Sequence, residues 1–165
     1  MAALHIVLEL FATIRIGNDL KITFSTLPFA AAGIFLGPAA GLLTGFAGTF
    51  LSQLLTYGIT VTTPFWVLPG MMQGLCAGLF FKLFKNKNSL TSYAVTCTAS
   101  GMVLVIFNLI ASYFDGVVIY KYWTLPVLAA LIPWRLCVWA VLSIVYTLVL
   151  FPLRKVLAKI AKPPA

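Results

Sequence analysis

IFLGPAAGLLTG, Ile34–Gly45, decides the fold. The stretch lies inside a long apolar run, yet glycine recurs every fourth residue, at Gly33, Gly37, Gly41 and Gly45, and Pro38 interrupts the series. Proline lacks the backbone N–H and its ring collides with the preceding turn, so Gly37-Pro38 reads as a turn between two spanning helices rather than a kink in one. In lipid, small residues let helix backbones approach closely, which gives the flanking glycines a packing role. GMMQGLCAG, Gly70–Gly78, repeats the device with Gly70, Gly74 and Gly78.

The surrounding composition agrees. Of 165 residues, 62% are hydrophobic and 8% charged, with a mean hydropathy of +1.06. A soluble domain carries about 25% charged residues, and no soluble fold of this size could hide so much apolar surface. The apolar segments lack the alternation of barrel strands. The expected fold is therefore an all-α membrane protein, a six-transmembrane-helix bundle with structured extracellular loops, forming one domain over residues 1–165. The segments run about Ala2–Ile16, Phe24–Leu36, Ala39–Tyr57, Phe65–Phe84, Ser92–Tyr113 and Pro133–Phe151. The first is short for a span, which suggests that residues precede Met1. No basic n-region of a secretory signal precedes its apolar residues.

Charge sets the expected orientation. Lys82, Lys85 and Lys87 lie between the fourth and fifth segments, and Arg154, Lys155, Lys159 and Lys162 lie in the tail. Both clusters mark cytoplasmic ends, so both termini are expected inside. The formal net charge of +8 thus explains topology and calls for no nucleic acid. The opposite face carries three loops: IRIGNDLKITFS (Arg15–Ser25), whose DLKITFS alternates like a strand; TYGITVTTPFW (Thr56–Trp66); and YFDGVVIYKYWTLP (Tyr113–Pro126). The third, with Tyr120, Tyr122 and Trp123 around Lys121, reads either as an interfacial aromatic belt or as a lid over an outward-facing pocket.

Ionisable and amide groups at membrane depth point to a site. Arg135, in IPWRLCVW, either snorkels to water or points inward, where its forked donors suit a carboxylate. Asn108, Gln73 and Gln53 can bond neighbouring helices or a ligand. His5 and Glu9 lie four apart on one face and read as a pair or as groups near the membrane edge.

Catalytic patterns are missing. There is one histidine, no HExxH, no GxSxG and no GxxxxGK[ST], so the chain reads as neither an enzyme nor an ATPase, with no metal or cofactor expected. Three cysteines, Cys76, Cys97 and Cys137, lie singly in apolar segments and read as small buried hydrophobes.

LPFAAAGIFLGPAAGLLTG (Leu27–Gly45) resembles the "iP…laGilfGP..G…G" stretch of the substrate-binding S components of energy-coupling factor (ECF) vitamin transporters, nearest the folate-transporter-like subfamily. ALHIVL (Ala3–Leu8), PFWVLPGMMQGLCAGLF (Pro64–Phe80) and IPWRL (Ile132–Leu136) resemble that family's first, fourth and sixth helices. The resemblance implies a six-helix subunit of the bacterial cell membrane that binds a water-soluble vitamin at its outer face. It implies as partners a transmembrane coupling subunit and two cytoplasmic ATPase subunits in an ABC-type importer. It also implies docking to the coupling subunit through Ala3, with Gly37, Gly41 and Gly45 as a further docking face.

Two positions depart from the pattern. Thr49 stands where many relatives carry an acid, and PFWV (Pro64–Val67) replaces the folate-type "PGFT". Arg135, Lys21 and Lys121 favour an anionic vitamin by charge, so pantothenate is the expected substrate, with folate or hydroxymethylpyrimidine next. The expected contacts are Asn18, Lys21, Trp66, Asn108, Lys121, Trp123 and Arg135. The rival reading is a stand-alone secondary transporter, which would show inverted repeats and charged relays.

Overall fold

A computed structural model describes residues 1–16, 20–84 and 89–160. The chain runs up and down through α1 (Ala2–Phe11), a hairpin of β1 (Thr13–Ile16) and β2 (Leu20–Thr23), α2 (Leu27–Leu36), α3 (Pro38–Tyr57), α4 (Thr63–Leu83), α5 (Leu90–Ser112) and α6 (Leu125–Ile160). A π-helical segment, Tyr113–Ile119, prolongs α5. Among the described residues this is an all-α membrane protein apart from one hairpin.

Among the described residues, four helical stretches are long and apolar enough to cross a membrane: Pro38–Tyr57, Thr63–Leu83, Leu90–Ile119 and Leu125–Arg154. The other two apolar helices, α1 and α2, have 10 residues each. At ~1.5 Å per residue each covers about 15 Å, half of a ~30 Å hydrocarbon layer.

The apolar run at the start of the chain does not continue as helix to Ile16. α1 stops at Phe11, and Thr13, Ile14 and Ile16 pair antiparallel with Thr23, Ile22 and Leu20. β-branched residues favour the pleated surface. The hydroxyl of Thr13 also donates across the hairpin to Thr23 Oγ1 at 2.9 Å. The strand reading of DLKITFS holds for Leu20–Thr23.

α2 is the core. Pro28, Phe29, Ala30, Ala31, Ala32, Gly33 and Ile34 are all buried, as expected of a helix that is apolar on every side. Its small side chains allow α3 and α4 to close over it. Gly37 makes the turn to α3 at φ +102°, a backbone region open to glycine, and Pro38 fits the first turn of α3, where no N–H is needed. The three helices then cross backbone to backbone. A Cβ on Gly41 would collide with the Gly74 carbonyl, one on Gly45 with the Gly70 carbonyl, and one on Gly33 with Gly74 and Gly78. Thr49 stitches the same crossing: its hydroxyl reaches Gly45 O at 2.5 Å and Val67 O at 3.3 Å, and its methyl lies over Gly70.

α5 and α6 complete the bundle. Tyr93 packs edge-on against Phe81 of α4 and Phe151 of α6. Trp139 lies over Gly101 and donates through Nε1 to the Thr98 carbonyl at 3.0 Å. Tyr146 bonds Thr26 at 2.8 Å and so ties α6 to the start of α2. α6 begins at Leu125, eight residues before the expected Pro133, and continues past Phe151 to Ile160. Pro126 sits in its first turn, and Pro133 and Pro152 lie inside it. An interior proline costs one hydrogen bond of the ladder, which a helix of 36 residues packed on α5 tolerates.

Candidate functional site

The up-and-down course brings the hairpin, the α3–α4 connection and the α5–α6 connection to one end of the bundle, the hairpin end. The Gly37 turn, the end of α4 with Lys82 and the start of α5 lie at the opposite, basic end. Polar side chains collect at the hairpin end in two groups.

The first group anchors the hairpin to α1. Ser25 Oγ donates to Glu9 Oε2 at 2.5 Å and Thr23 Oγ1 donates to the same oxygen at 3.3 Å. His5 Nδ1 lies 2.6 Å from the Ser25 carbonyl oxygen, and its ring rests against Phe29 and Gly48. Glu9 and His5 are therefore held by Thr23 at the end of β2 and Ser25 just after it. The sequence offered no signal for this, because the partners are brought in by the hairpin.

The second group joins α5, α6 and the segment between them. Arg135 Nη2 donates to Ser112 Oγ at 2.8 Å, while Nη1 is buried without a hydrogen-bond partner. Ser112 has no exposed surface, and Asn108 lies one turn below it, donating through Nδ2 to the Leu104 carbonyl at 3.1 Å. Phe114 stacks on Phe65 of α4, with ring centroids 4.7 Å apart and 10° between planes, and Trp66 follows Phe65 on the same first turn.

The third loop is more tightly built than an open lid. Its first half is the π-helical segment, and Tyr122 turns back to donate to the buried Asp115 at 2.6 Å. The Trp123 amide donates to the Gly116 carbonyl at 3.0 Å, and its ring covers Gly116, where a Cβ would meet the indole. Lys121 is exposed at φ +55°, just before these two anchors.

The expected contact residues thus fall into three sets. Arg135, Asn108, Trp66 and Trp123 stand on the elements that meet at α5–α6 and the start of α4. Lys21 sits in β2 opposite Arg15, and Asn18 lies outside the described residues. Lys121 points to the surface. Ser112, Asp115, Phe65 and Phe114 belong to the same neighbourhood, and the sequence reading did not single them out. An aromatic in FDG or PFW reads as interfacial until the fold brings the two rings together.

The glycine face also has a definite place. Gly41 and Gly45 are buried against α4, Gly37 stands at the turn, and Ala3 is exposed on α1 with Leu4 and Val7. Among the described residues no three of His, Cys, Asp or Glu come together to hold a metal ion.

A bundle of long apolar helices with polar groups gathered at one end is the architecture of an integral membrane protein. A family model described as "ECF-type riboflavin transporter, S component" matches residues 1–159. The chain belongs to that family, a transporter family rather than an enzyme family. A search of curated proteins returned no match.

Proposed function

We propose that this chain is the vitamin-capturing subunit of an energy-coupled importer of the bacterial cell membrane, with riboflavin as its substrate. The family match over residues 1–159 carries the reading and moves the preferred vitamin from pantothenate, which charge alone suggested, to a flavin. The chemistry at the hairpin end supports it. A planar tricyclic ring calls for flat walls; Phe65 and Phe114 stack there, and Trp66 and Trp123 are proposed to add to them. A polyhydroxylated chain calls for amide and guanidinium partners, which Asn108 and Arg135 offer. Asn18, Lys21 and Lys121 are proposed to close over the bound vitamin from the loops.

A carboxylate vitamin is the second reading. The buried, unpartnered Nη1 of Arg135 favours it, because the guanidinium fork fits a carboxylate.

The subunit binds, and its partners supply energy: a membrane coupling subunit and two ATPases on the cytoplasmic side. All six helices are proposed to be embedded, with α1 and α2 covering part of the bilayer depth and both termini facing the ATPases. Ala3, on the exposed face of α1, is proposed to dock to the coupling subunit. Gly37 would join it from the turn. Gly41 and Gly45 would contribute from beneath, by holding α3 and α4 close.

The deciding experiment is a fluorescence titration of the purified chain with riboflavin, run beside isothermal titration with pantothenate and folate. Quenching of flavin emission to a saturating end point supports the flavin reading. Heat from pantothenate with silent riboflavin would overturn the flavin and keep the vitamin-capturing subunit. Proton-coupled uptake by the chain alone in vesicles would overturn the subunit reading itself.

A further inference from the structure

At the basic end a cleft of about 400 Å³ opens between α2, α4, α5 and α6. Its walls include Phe35 and Leu36 at the end of α2, Lys82 at the end of α4, Tyr93 near the start of α5 and Arg154 on α6. Three observations meet there. Two cationic side chains from different helices converge on one space, with Lys82 exposed at its rim and Arg154 half-buried. Tyr93 has no exposed surface, and its hydroxyl has no hydrogen-bond partner. Leu36, beside them, is 66% exposed and offers apolar surface that continues out of the cleft.

A buried hydroxyl left unbonded costs free energy that a ligand acceptor would recover. Two cations and one hydroxyl donor suit a phosphate, and basic pockets between helices near a membrane surface suit lipid headgroups. The apolar rim extends the match to the glycerol and upper acyl carbons of a lipid, which a soluble phosphate would leave unused.

From this we infer that the cleft is a binding site for one anionic phospholipid. The phosphate lies between Lys82 and Arg154, accepts from the Tyr93 hydroxyl, and its acyl chains run along Phe35 and Leu36. The Tyr93 hydroxyl is buried beneath the cleft, so the proposed binding includes a shift of the side chains above it when the phosphate enters. The site stands at the far end of the bundle from the vitamin site and does not depend on it.

Native mass spectrometry of the full chain in detergent tests the inference, with phosphatidylglycerol titrated against phosphatidylcholine. Both carry a phosphate, but only the former is anionic overall. The expected result is a single phosphatidylglycerol retained about ten-fold more tightly, since bonds to charged groups are among the stronger ones. The preference should vanish in the double variant Lys82→Gln, Arg154→Gln and weaken in Tyr93→Phe, each variant melting in lipid-free detergent no lower than the parent does. Equal retention of the two lipids by the parent would overturn the proposal and leave the cations to an acidic protein partner. Displacement of phosphatidylglycerol by millimolar inorganic phosphate would also overturn it, in favour of a soluble phosphate. A preference that survives in the double variant would place the lipid elsewhere and overturn the assignment to this cleft.

Discussion

Arg135 uses half of its guanidinium to bond Ser112 at 2.8 Å and holds the other half, Nη1, buried and unpaired. The bond fixes the side chain against α5, and the unpaired nitrogen is a donor awaiting an acceptor. Arg135→Ala should weaken vitamin binding by ten-fold or more, since a hydrogen bond from a charged group contributes roughly 1.5–3 kcal/mol. Arg135→Lys keeps the charge without the fork and should recover only part of the loss. An unchanged Kd in Arg135→Ala, read by titration, would remove this residue from the site.

The glycine crossing should tolerate no added methyl. Gly41→Ala or Gly74→Ala drives a Cβ into the facing carbonyl and should destabilise the bundle by about 1–3 kcal/mol. Gly37→Ala meets open space, yet its φ of +102° with ψ of 171° is a glycine region, so strain of about 1–3 kcal/mol is expected there instead. Melting temperatures in a single detergent compare the three. A Gly74→Ala variant as stable as the parent would contradict the backbone contact.

Two buried tyrosines should respond in opposite ways. Tyr146→Phe removes the bond to Thr26 that joins α6 to α2 and should cost about 1 kcal/mol. Tyr93→Phe removes a hydroxyl with no partner and should be neutral or stabilising in lipid-free detergent. Thermal denaturation of the two variants side by side checks the ordering.

The hairpin depends on one carboxylate. Glu9→Ala deletes the acceptor shared by Ser25 and Thr23. Amide hydrogen exchange in Thr13–Ile16 and Leu20–Thr23 should then accelerate by about ten-fold, while α3 and α4 stay protected. Unaltered exchange in the hairpin would show that His5 and the cross-strand bonds suffice.

The turn at Gly37-Pro38 and the close crossing of α3 and α4 were legible in the sequence, because missing side chains and a missing N–H have local consequences. The ends of helices were less so. Hydropathy says that a segment prefers lipid, and it does not show where α1 gives way to the strand Thr13–Ile16. Pro133 suggested a beginning for α6, but the ladder it interrupts is carried by neighbouring residues. Arg135 and Asn108 stood out because charge and amide are expensive in lipid. Their surroundings, Ser112, Phe65 and Phe114, did not stand out, because small hydroxyls and phenyl rings are ordinary in a membrane helix. Trp123 read as a belt residue or as part of a lid; the need for Gly116 beneath it is visible only once the chain turns back on itself.

The apolar stretch of α6 runs from Leu125 to Arg154, and Arg135 lies ten residues inside it. At ~1.5 Å per residue its 30 residues reach about 45 Å, half as long again as a ~30 Å hydrocarbon layer. A helix too long for the layer leans or lets an end emerge, so α6 has slack in length that α1 and α2, with 10 residues each, lack.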